Sequence, residues 1–496
     1  MSAKPAILSV DDFINNDSVK KCISGLKDTF HDQPLIVSDV LDNENHQYVN
    51  LVQKGGGVLG IALVGYTYIM EEMGIRFIRL AGTSAGAINT ALMTVVGEKQ
   101  EAKSLKVLDE ICKLDFFNLV DGHPAARWLI KNFITHNDFI AQVKKWLIGI
   151  LITLTLLFAG DFIFLGLQHS VPALSLLTKA FFVSTGFFLL LVSILIAYIT
   201  TLIRRLKNSG YGINPGDYFY DWIKKQLIEN GVKTVTDLKA KAAAPIPGIH
   251  LRVPNVEGLD GLEGDITFIA SELVTQNKIQ FPAMCNLFRR EEDIDTLQPA
   301  GFVRASMSIP LFFESYYIND IPCAEPSVIA EWQKLGEDDP PTTARFVDGG
   351  ILSNFPIDLF YNPKVIVPRL PSFGIDLDTS KPGDTSKHAG TWSLGGYFYR
   401  MFNTIRSYYD KDFLLKNRFF KKGIGTIFLA DFNWLNFFLS DKDKIKMFVL
   451  GANAASKFLE EFDWDDYKHQ RNDMRKQLLK EQAPDIAASS KTYAAS

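Results

Sequence analysis

A serine between two glycines gives the strongest chemical signal in this chain. Ser84 lies within Gly82–Gly86, the sequence Gly-Thr-Ser-Ala-Gly, between a strand pattern at 75–80 and a helical pattern. In a nucleophile elbow of this kind the serine occupies a strained turn, and the small residues Gly82 and Gly86 make room for it. The positive end of the following helix also points at a developing oxyanion. We therefore predict that Ser84 is a nucleophile.

A glycine-rich turn precedes the elbow. Gly55, Gly56, Gly57 and Gly60 follow one strand pattern and open a helical pattern. This spacing also fits dinucleotide-binding folds, which need an acidic residue about twenty positions later, at the end of the second strand. Here that strand ends Leu-Ala-Gly at 80–82, without an acid. The turn therefore predicts no nucleotide and favours backbone N–H groups directed at an anion, most simply the oxyanion of acyl transfer.

An aspartate in a tight turn could serve as the base. Asp348 is followed by Gly349 and Gly350, and these glycines let its side chain approach another loop closely. A carboxylate can accept a serine proton when partial desolvation raises its pKa toward the working pH. The residues therefore favour a dyad of Ser84 and Asp348.

A Ser-Asp-His triad is the alternative. Its chain order in α/β-hydrolases is serine, acid, histidine, and both His388 and His469 follow Asp348. His388 lies in a polar loop and His469 in a charged terminal helix, so each is interpreted as a solvated surface residue. The order of these residues along the chain does not exclude a Ser-Asp-His triad.

Three motifs in this order resemble the patatin-like phospholipases: the Gly-Gly-Gly-x-x-Gly turn, the Gly-x-Ser-x-Gly elbow and a distant Asp-Gly-Gly. The segments Val303–Phe313 and Phe437–Leu459 also look like the block upstream of the family's aspartate and its closing helix. The resemblance covers roughly residues 47–145 and 210–465. It implies a three-layer α/β/α fold with a mainly parallel central sheet.

The resemblance also assigns roles to the residues of these motifs. It implies that Ser84 is the nucleophile, that Asp348 is the general base and that Gly55, Gly56 and Gly57 form the oxyanion hole. The remaining motif glycines are Gly60, Gly82, Gly86, Gly349 and Gly350. Two features depart from the family pattern. Leu59 stands where members often carry Lys or Arg, and a hydrophobic hairpin is inserted between the elbow and the aspartate.

The inserted hairpin consists of two apolar runs. Trp146–Leu167 is apolar except for Asp161, and Ala180–Ile203 has no charged residue. At about 1.5 Å per residue, each run is long enough to cross a hydrocarbon core of roughly 30 Å. A pair of buried helices in a soluble fold is the alternative for both runs, and a re-entrant segment is an alternative for the first. The second run has no polar stripe, which favours a membrane helix.

The charges that flank the two runs predict their orientation. The basic residues next to them are Lys144, Lys145, Arg204, Arg205 and Lys207. In the connecting loop at 168–179, Lys179 is the only Lys or Arg. Positive residues favour the cytoplasmic side, so both flanks should be cytoplasmic. We expect an integral membrane protein whose catalytic domain faces the cytoplasm.

Composition excludes other classes of function. The net charge of −4 gives no electrostatic argument for nucleic acid as a partner. The four cysteines are scattered without metal-ligand spacing, so no metal, nucleotide or other cofactor is predicted. Ser306 is interpreted as a packing residue. The aromatic residues Phe432, Trp434, Phe437 and Phe438 are interpreted as core, with an acyl-pocket lining as the alternative.

These observations predict a lipid acyl hydrolase that cleaves carboxylic esters of membrane phospholipids or other lipids through an acyl-serine intermediate. The alternatives are an inactive membrane-bound lipid-binding or scaffold protein on the same fold, and a Ser-Asp-His esterase. The predicted partners are the lipid bilayer and its lipid esters. The predicted domains are an N-terminal extension (1–46), a first catalytic part (47–145), a transmembrane hairpin (146–203), a second catalytic part (210–465) and a tail (466–496).

Overall fold

The computed structural model describes most of the chain, namely residues 8–124, 127, 139–167, 170–208, 210–253, 261–362, 364–365, 367–380, 394–474 and 476. The chain divides into two compact units. The larger, here called the α/β unit, falls within residues 1–120, 216–310 and 315–496, and the smaller, the hairpin unit, within 121–215 and 311–314. The domain boundaries given above stay predictions.

Twelve strands form in the described residues. They are β1 (Val40–Leu41), β2 (Gln47–Gln53), β3 (Ile75–Thr83), β4 (Gly212–Asn214), β5 (His250–Leu251), β6 (Asp265–Glu272), β7 (Lys278–Phe281), β8 (Leu311–Phe313), β9 (Tyr316–Ile318), β10 (Ala344–Asp348), β11 (Ser372–Asp378) and β12 (Ile424–Phe428). Ten of these strands form one mixed sheet in the α/β unit, and β4 pairs with β8 in the hairpin unit.

The main sheet has the order β12-β11-β2-β3-β6-β10-β9. The five strands from β12 to β6 are parallel to their neighbours. β10 and β9 add antiparallel strands at one edge, and β1, β5 and β7 also pair antiparallel. All residues of β2 are buried, which is typical of a parallel strand covered on both faces. The predicted α/β fold with a mainly parallel centre is confirmed, with antiparallel strands at its margins.

Thirteen α-helices accompany these strands in the part of the chain that the structure describes. They are α1 (Val10–Ile14), α2 (Asp17–Thr29), α3 (Gly60–Glu72), α4 (Ala85–Val95), α5 (Ser104–Lys113), α6 (Phe139–Leu167), α7 (Ser175–Asn208), α8 (Asp217–Glu229), α9 (Val235–Ala243), α10 (Pro299–Ser306), α11 (Pro326–Gln333), α12 (Leu394–Lys416) and α13 (Asp441–Glu461). Helices α3 and α13 pack closely: a Cβ added at Gly65 would lie 2.1 Å from the Phe448 carbonyl oxygen. This contact fixes α3, whose first residues follow the glycine-rich turn.

The hairpin unit contains the two predicted apolar helices. Helices α6 and α7 contact each other through Phe164 and Phe181, whose ring centroids are 4.8 Å apart. Asp161 is buried within this unit. Most other side chains of both helices are exposed, and both helices are long and apolar enough to cross a membrane. The insertion of a two-helix apolar hairpin into an α/β fold, as predicted, is confirmed.

Candidate active site

Ser84 occupies a strained turn between β3 and α4. Its backbone has φ 53° and ψ −120°, outside the regions that ordinary residues prefer. The turn closes only because its flanking residues are small. A Cβ at Gly82 would lie 2.3 Å from the Gly86 carbonyl carbon, and a Cβ at Gly86 would lie 2.2 Å from the Gln53 carbonyl oxygen. The elbow geometry expected from the sequence is therefore present.

A second serine supports the elbow. The Ser84 N–H donates a hydrogen bond to Oγ of Ser306, at 3.0 Å, and the Ser306 side chain is fully buried at the end of α10. The sequence alone indicates only a packing role for Ser306. Its contact with the backbone of Ser84 depends on tertiary structure that no local pattern reveals.

Asp348 ends β10 and lies beside Ser84. Its Oδ1 accepts a hydrogen bond of 2.7 Å from the Gly350 N–H. Burial raises the pKa of the carboxyl, and hydrogen bonds from the Ser84 hydroxyl and the Gly350 N–H, together with the charge of Arg406, partly oppose that rise. The structure therefore brings together the two side chains that the sequence proposed as a dyad, in a setting where the carboxyl holds a proton more readily than in water.

The glycine-rich turn lies against the elbow. A Cβ at Gly55 would lie 3.0 Å from Cβ of Ser84. Gly57 has φ +56°, and a Cβ there would lie 2.2 Å from the Trp434 carbonyl oxygen, so only glycine fits. The Gly55 N–H donates to the Asn354 carbonyl at 3.0 Å. Within the described residues, the N–H groups of Gly56 and Gly57 donate to no acceptor. These two groups are therefore available to a bound anion.

Helix α12 supports the loop that follows Asp348, a role that the sequence did not predict. Arg406 Nε donates to the Gly350 carbonyl. Asp410, one turn later, accepts hydrogen bonds of 2.8 to 3.0 Å from the Ser353 hydroxyl and from the N–H groups of residues 354 and 355. Asn354 in turn donates through Nδ2 to the Gly55 carbonyl at 3.2 Å. One helix face thereby holds the aspartate loop against the glycine-rich turn.

An apolar cavity of about 60 Å³ opens beside Ser84. Its apolar lining includes Ile88, Leu114, Phe116, Phe219, Trp222, Met307 and Phe437. Phe437, one of the aromatic residues considered for an acyl pocket, therefore lines this cavity. Such apolar walls suit a hydrocarbon chain.

His469, one of the two histidines of the alternative triad, is not among the described residues that line this cavity. His388 lies outside the described residues, and His469 is exposed within the helical segment 464–474. The residues described as lining the cavity include no histidine. In the described ranges, no group of three or more His, Cys, Asp and Glu side chains could hold a metal ion. The residues gathered around Ser84 suit acyl transfer by serine and carboxylate.

A match to a known family points in the same direction. A family model described as patatin, patatin-like phospholipase, matches residues 51–361. The uncharacterized protein YqhO of Bacillus subtilis strain 168 is 24% identical over 420 residues, which are 84% of this chain and 100% of YqhO. A crystal structure of VipD from Legionella pneumophila covers 86% of this chain and 70% of its own, with 13% identity and a TM-score of 0.34. The family match includes both the serine elbow and the aspartate turn.

Proposed function

Since this chain belongs to the patatin-like phospholipase family, we propose that it hydrolyses carboxylic esters of membrane lipids through an acyl intermediate on Ser84. One observation carries the proposal. The buried carboxyl of Asp348 lies beside the hydroxyl of Ser84, next to an apolar cavity. A serine, a base and an adjoining apolar space for the acyl group are the parts that hydrolysis of a lipid ester by a covalent route requires.

Asp348 acts as the base in acylation. As Oγ of Ser84 attacks the ester carbonyl carbon, its proton passes to the Asp348 carboxylate. The carbonyl oxygen becomes an oxyanion, which the N–H groups of Gly56 and Gly57 stabilise by hydrogen bonds. The tetrahedral intermediate then expels the alcohol part of the lipid, which takes the proton from Asp348. Gly55 shapes this turn and makes room beside Ser84, while its own N–H holds Asn354.

Water completes the reaction. Asp348, again a carboxylate, takes a proton from a water molecule that attacks the acyl–Ser84 carbonyl. Collapse of the second tetrahedral intermediate releases the fatty acid, and Ser84 recovers its proton from Asp348. Phospholipid is the proposed substrate class, because the family is named for it and because a bilayer would surround the apolar hairpin.

The apolar hairpin is the proposed membrane anchor. Helices α6 and α7 have the length and composition of membrane spans, and exposed apolar surface of this extent is costly in water. Basic residues precede α6's apolar run and follow that of α7. By the positive-inside rule, these flanks and the α/β unit lie on the cytoplasmic side.

Covalent labelling tests the proposed function. A fluorophosphonate should label the full-length protein in detergent, and Ser84→Ala should abolish both labelling and ester hydrolysis while the protein stays folded. Ser24→Ala, which changes an exposed serine on α2, is the matched control and should keep both. Labelling that survives Ser84→Ala would contradict the nucleophile. A folded wild type that neither reacts nor hydrolyses any lipid ester would favour the inactive scaffold.

A further inference from the structure

Helix α12 exposes an apolar stripe on its outer face. Met401, Ile405, Tyr408 and Leu415 are 43%, 68%, 68% and 61% exposed. Their spacings of four, three and seven residues put them on one side of an α-helix. Single exposed apolar residues are ordinary in proteins, but Met401, Ile405 and Tyr408 adjoin along one helix face. Asp412, which pairs with Lys416 at 2.6 Å, separates them from Leu415 on the same face.

The opposite face of α12 is buried against the α/β unit. Arg406 and Asp410 bond to the loop after Asp348, as described above. Phe413 and Leu414 pack on the cluster of buried side chains around Phe419 and Phe420. The stripe and the inward-facing residues therefore lie on opposite sides of α12. A ligand that binds the stripe also contacts the helix that holds the aspartate loop.

Basic residues gather at the C-terminal end of the stripe. The exposed cations of this segment are Lys411, Lys416, Arg418, Lys421 and Lys422. Asp412 pairs with Lys416 at 2.6 Å, and Asp466 pairs with Lys422 at 3.2 Å. After these pairs the segment still carries a net positive charge next to its apolar side chains.

We propose that this face of α12 binds an anionic lipid surface. An apolar strip beside clustered cations is the pattern of helices that lie in the plane of a membrane interface. Exposed cations near an anionic bilayer strengthen such binding. A stable protein interface needs roughly 20 to 30 residues on each side, far more than this strip supplies, so a second protein is a poor occupant.

The binding has a consequence for the proposed reaction, on which it rests. A lipid surface bound to the stripe restrains α12, and α12 holds the loop that carries Asp348 against the glycine-rich turn. Hydrolysis of bilayer lipid should therefore depend on the stripe, whereas hydrolysis of dissolved esters should depend on it little. The stripe thereby supplies interfacial selectivity on top of the acyl chemistry.

Lipid-borne quenchers test the binding without reference to activity. The full chain, with Cys22, Cys112 and Cys323 replaced by serine, carries Ile405→Cys labelled with an environment-sensitive fluorophore. It is reconstituted into phosphatidylcholine vesicles with or without phosphatidylglycerol. Nitroxide lipids should quench the fluorophore, and more strongly with phosphatidylglycerol. Ile228→Cys, on an exposed isoleucine of α8, is the matched control and should show little quenching.

Several outcomes of this experiment would overturn the proposal. Equal quenching at residues 405 and 228 would show only general closeness to the bilayer. Absence of quenching at 405, or a disulfide between two copies through that cysteine, would assign the stripe to another occupant or to none.

An activity test links the stripe to catalysis. Combining Ile405→Ser, Tyr408→Ser and Leu415→Ser should lower hydrolysis of vesicle phospholipid by about tenfold or more, since burial of each apolar side chain stabilises the bound state. Hydrolysis of a dissolved short-chain ester should change by less than about twofold. Ile228→Ser should alter neither rate. Equal losses on both substrates would contradict the proposal.

Failure of the binding and failure of the proposed function can be told apart. If the wild-type protein hydrolyses neither substrate, the proposed function is contradicted, while the quenching result still tests lipid binding by the stripe. If the wild-type protein hydrolyses vesicle lipid but shows no quenching at residue 405, only the proposed lipid binding by the stripe is contradicted.

Discussion

Helices α3 and α7 share a sequence pattern but not an environment. Both are apolar around their whole circumference, without a polar stripe. In α3 every residue from Ile61 to Glu71 is buried by the α/β unit. In α7 large side chains stay uncovered, such as Phe182, Val183 and Phe187, which are 50%, 72% and 61% exposed. An apolar helix must be covered by protein or by lipid. The α/β unit covers α3, and we propose that lipid covers α7.

Glycines show the same difference at the atomic scale. A Cβ at Gly65 of α3 would meet the backbone of α13 at 2.1 Å, whereas a Cβ at Gly186 of α7 would meet nothing within 4 Å. The first helix is part of a close-packed interior, where added volume must displace neighbours. The second has free space along this part of its surface. The comparison therefore predicts that chemistry and cooperative folding belong to the α/β unit, and membrane retention to the hairpin.

The largest effect is expected from Asp348→Asn, which changes the α/β unit alone. The amide cannot accept the Ser84 proton, so ester hydrolysis should fall by roughly 10³- to 10⁴-fold, while sedimentation with membranes stays complete. Measured rates on dissolved and bilayer esters check the change. Loss of membrane retention in this variant would break the assignment of retention to the hairpin.

The same variant carries a pH signature. Burial raises the pKa of Asp348 in the folded protein, so ionising this carboxyl as the pH rises through that pKa costs stability. Asparagine cannot ionise, and the variant should melt at a higher temperature than the wild type above that pKa, with no difference at pH values below the usual carboxyl range. Wild-type activity should rise with pH over the same interval. Melting temperatures measured across pH check the sign.

Replacing residues 146–203 with a short flexible linker should remove membrane retention while leaving the chemistry. The shortened protein should be soluble and hydrolyse dissolved short-chain esters, and its rate on bilayer phospholipid should fall sharply because the tether is lost. A carbonate wash followed by centrifugation checks retention. If the shortened protein folds but still sediments wholly with membranes, the hairpin is not the anchor; if it is soluble, folded and inactive, the hairpin belongs to the active site.

A pair of glycine variants sharpens the comparison directly. Gly65→Ala should destabilise the α/β unit by about 2 to 3 kcal/mol, because the added methyl group overlaps the backbone of α13. Gly186→Ala should change the stability of that unit by less than about 0.5 kcal/mol. Thermal unfolding of the full chain in detergent, followed by near-ultraviolet circular dichroism, compares the two. Similar losses would mean that α7 is packed as tightly as α3.

The smallest effect is expected from His469→Ala. This side chain is exposed and outside the described cavity lining, so the hydrolysis rate should stay within about twofold of the wild type. His388→Ala, for which we expect the same, lies outside the described residues. Near-total loss with either change in a folded protein would favour the Ser-Asp-His triad.

The fold and the two turns that carry Ser84 and Asp348 could be predicted because their signals are local, whereas the catalytic roles of these residues stay a proposal. Ser84 and Asp348 lie in short turns whose glycines are required by backbone crowding, and each turn follows a strand. The hairpin could be predicted because its apolar runs have no polar stripe. Such patterns can be recognised in the sequence without knowing which residues pack against them.

The supporting residues could not be predicted because their roles depend on distant partners. Ser306 bonds the backbone of Ser84, and Asp410 on α12 bonds three groups of the loop around Ser353. An arginine and an aspartate four residues apart on a helix usually form a solvated pair. Only the tertiary structure shows that Arg406 and Asp410 face inward. The engagement of the Gly55 N–H by Asn354 was hidden for the same reason.

The strand order has a consequence for biosynthesis. β2 lies between β3, which follows it closely in the chain, and β11, which is translated only after both apolar helices and most of the α/β unit. During translation one edge of β2 therefore stays unpaired until β11 is made. An unpaired strand edge can pair with other strands unless a chaperone or another segment of the same chain covers it. The aspartate at the end of β10 is also made late. A nascent chain attached to the ribosome thus carries the serine elbow long before Asp348, the proposed base. Under the proposed mechanism, it cannot yet hydrolyse esters while the hairpin is being made.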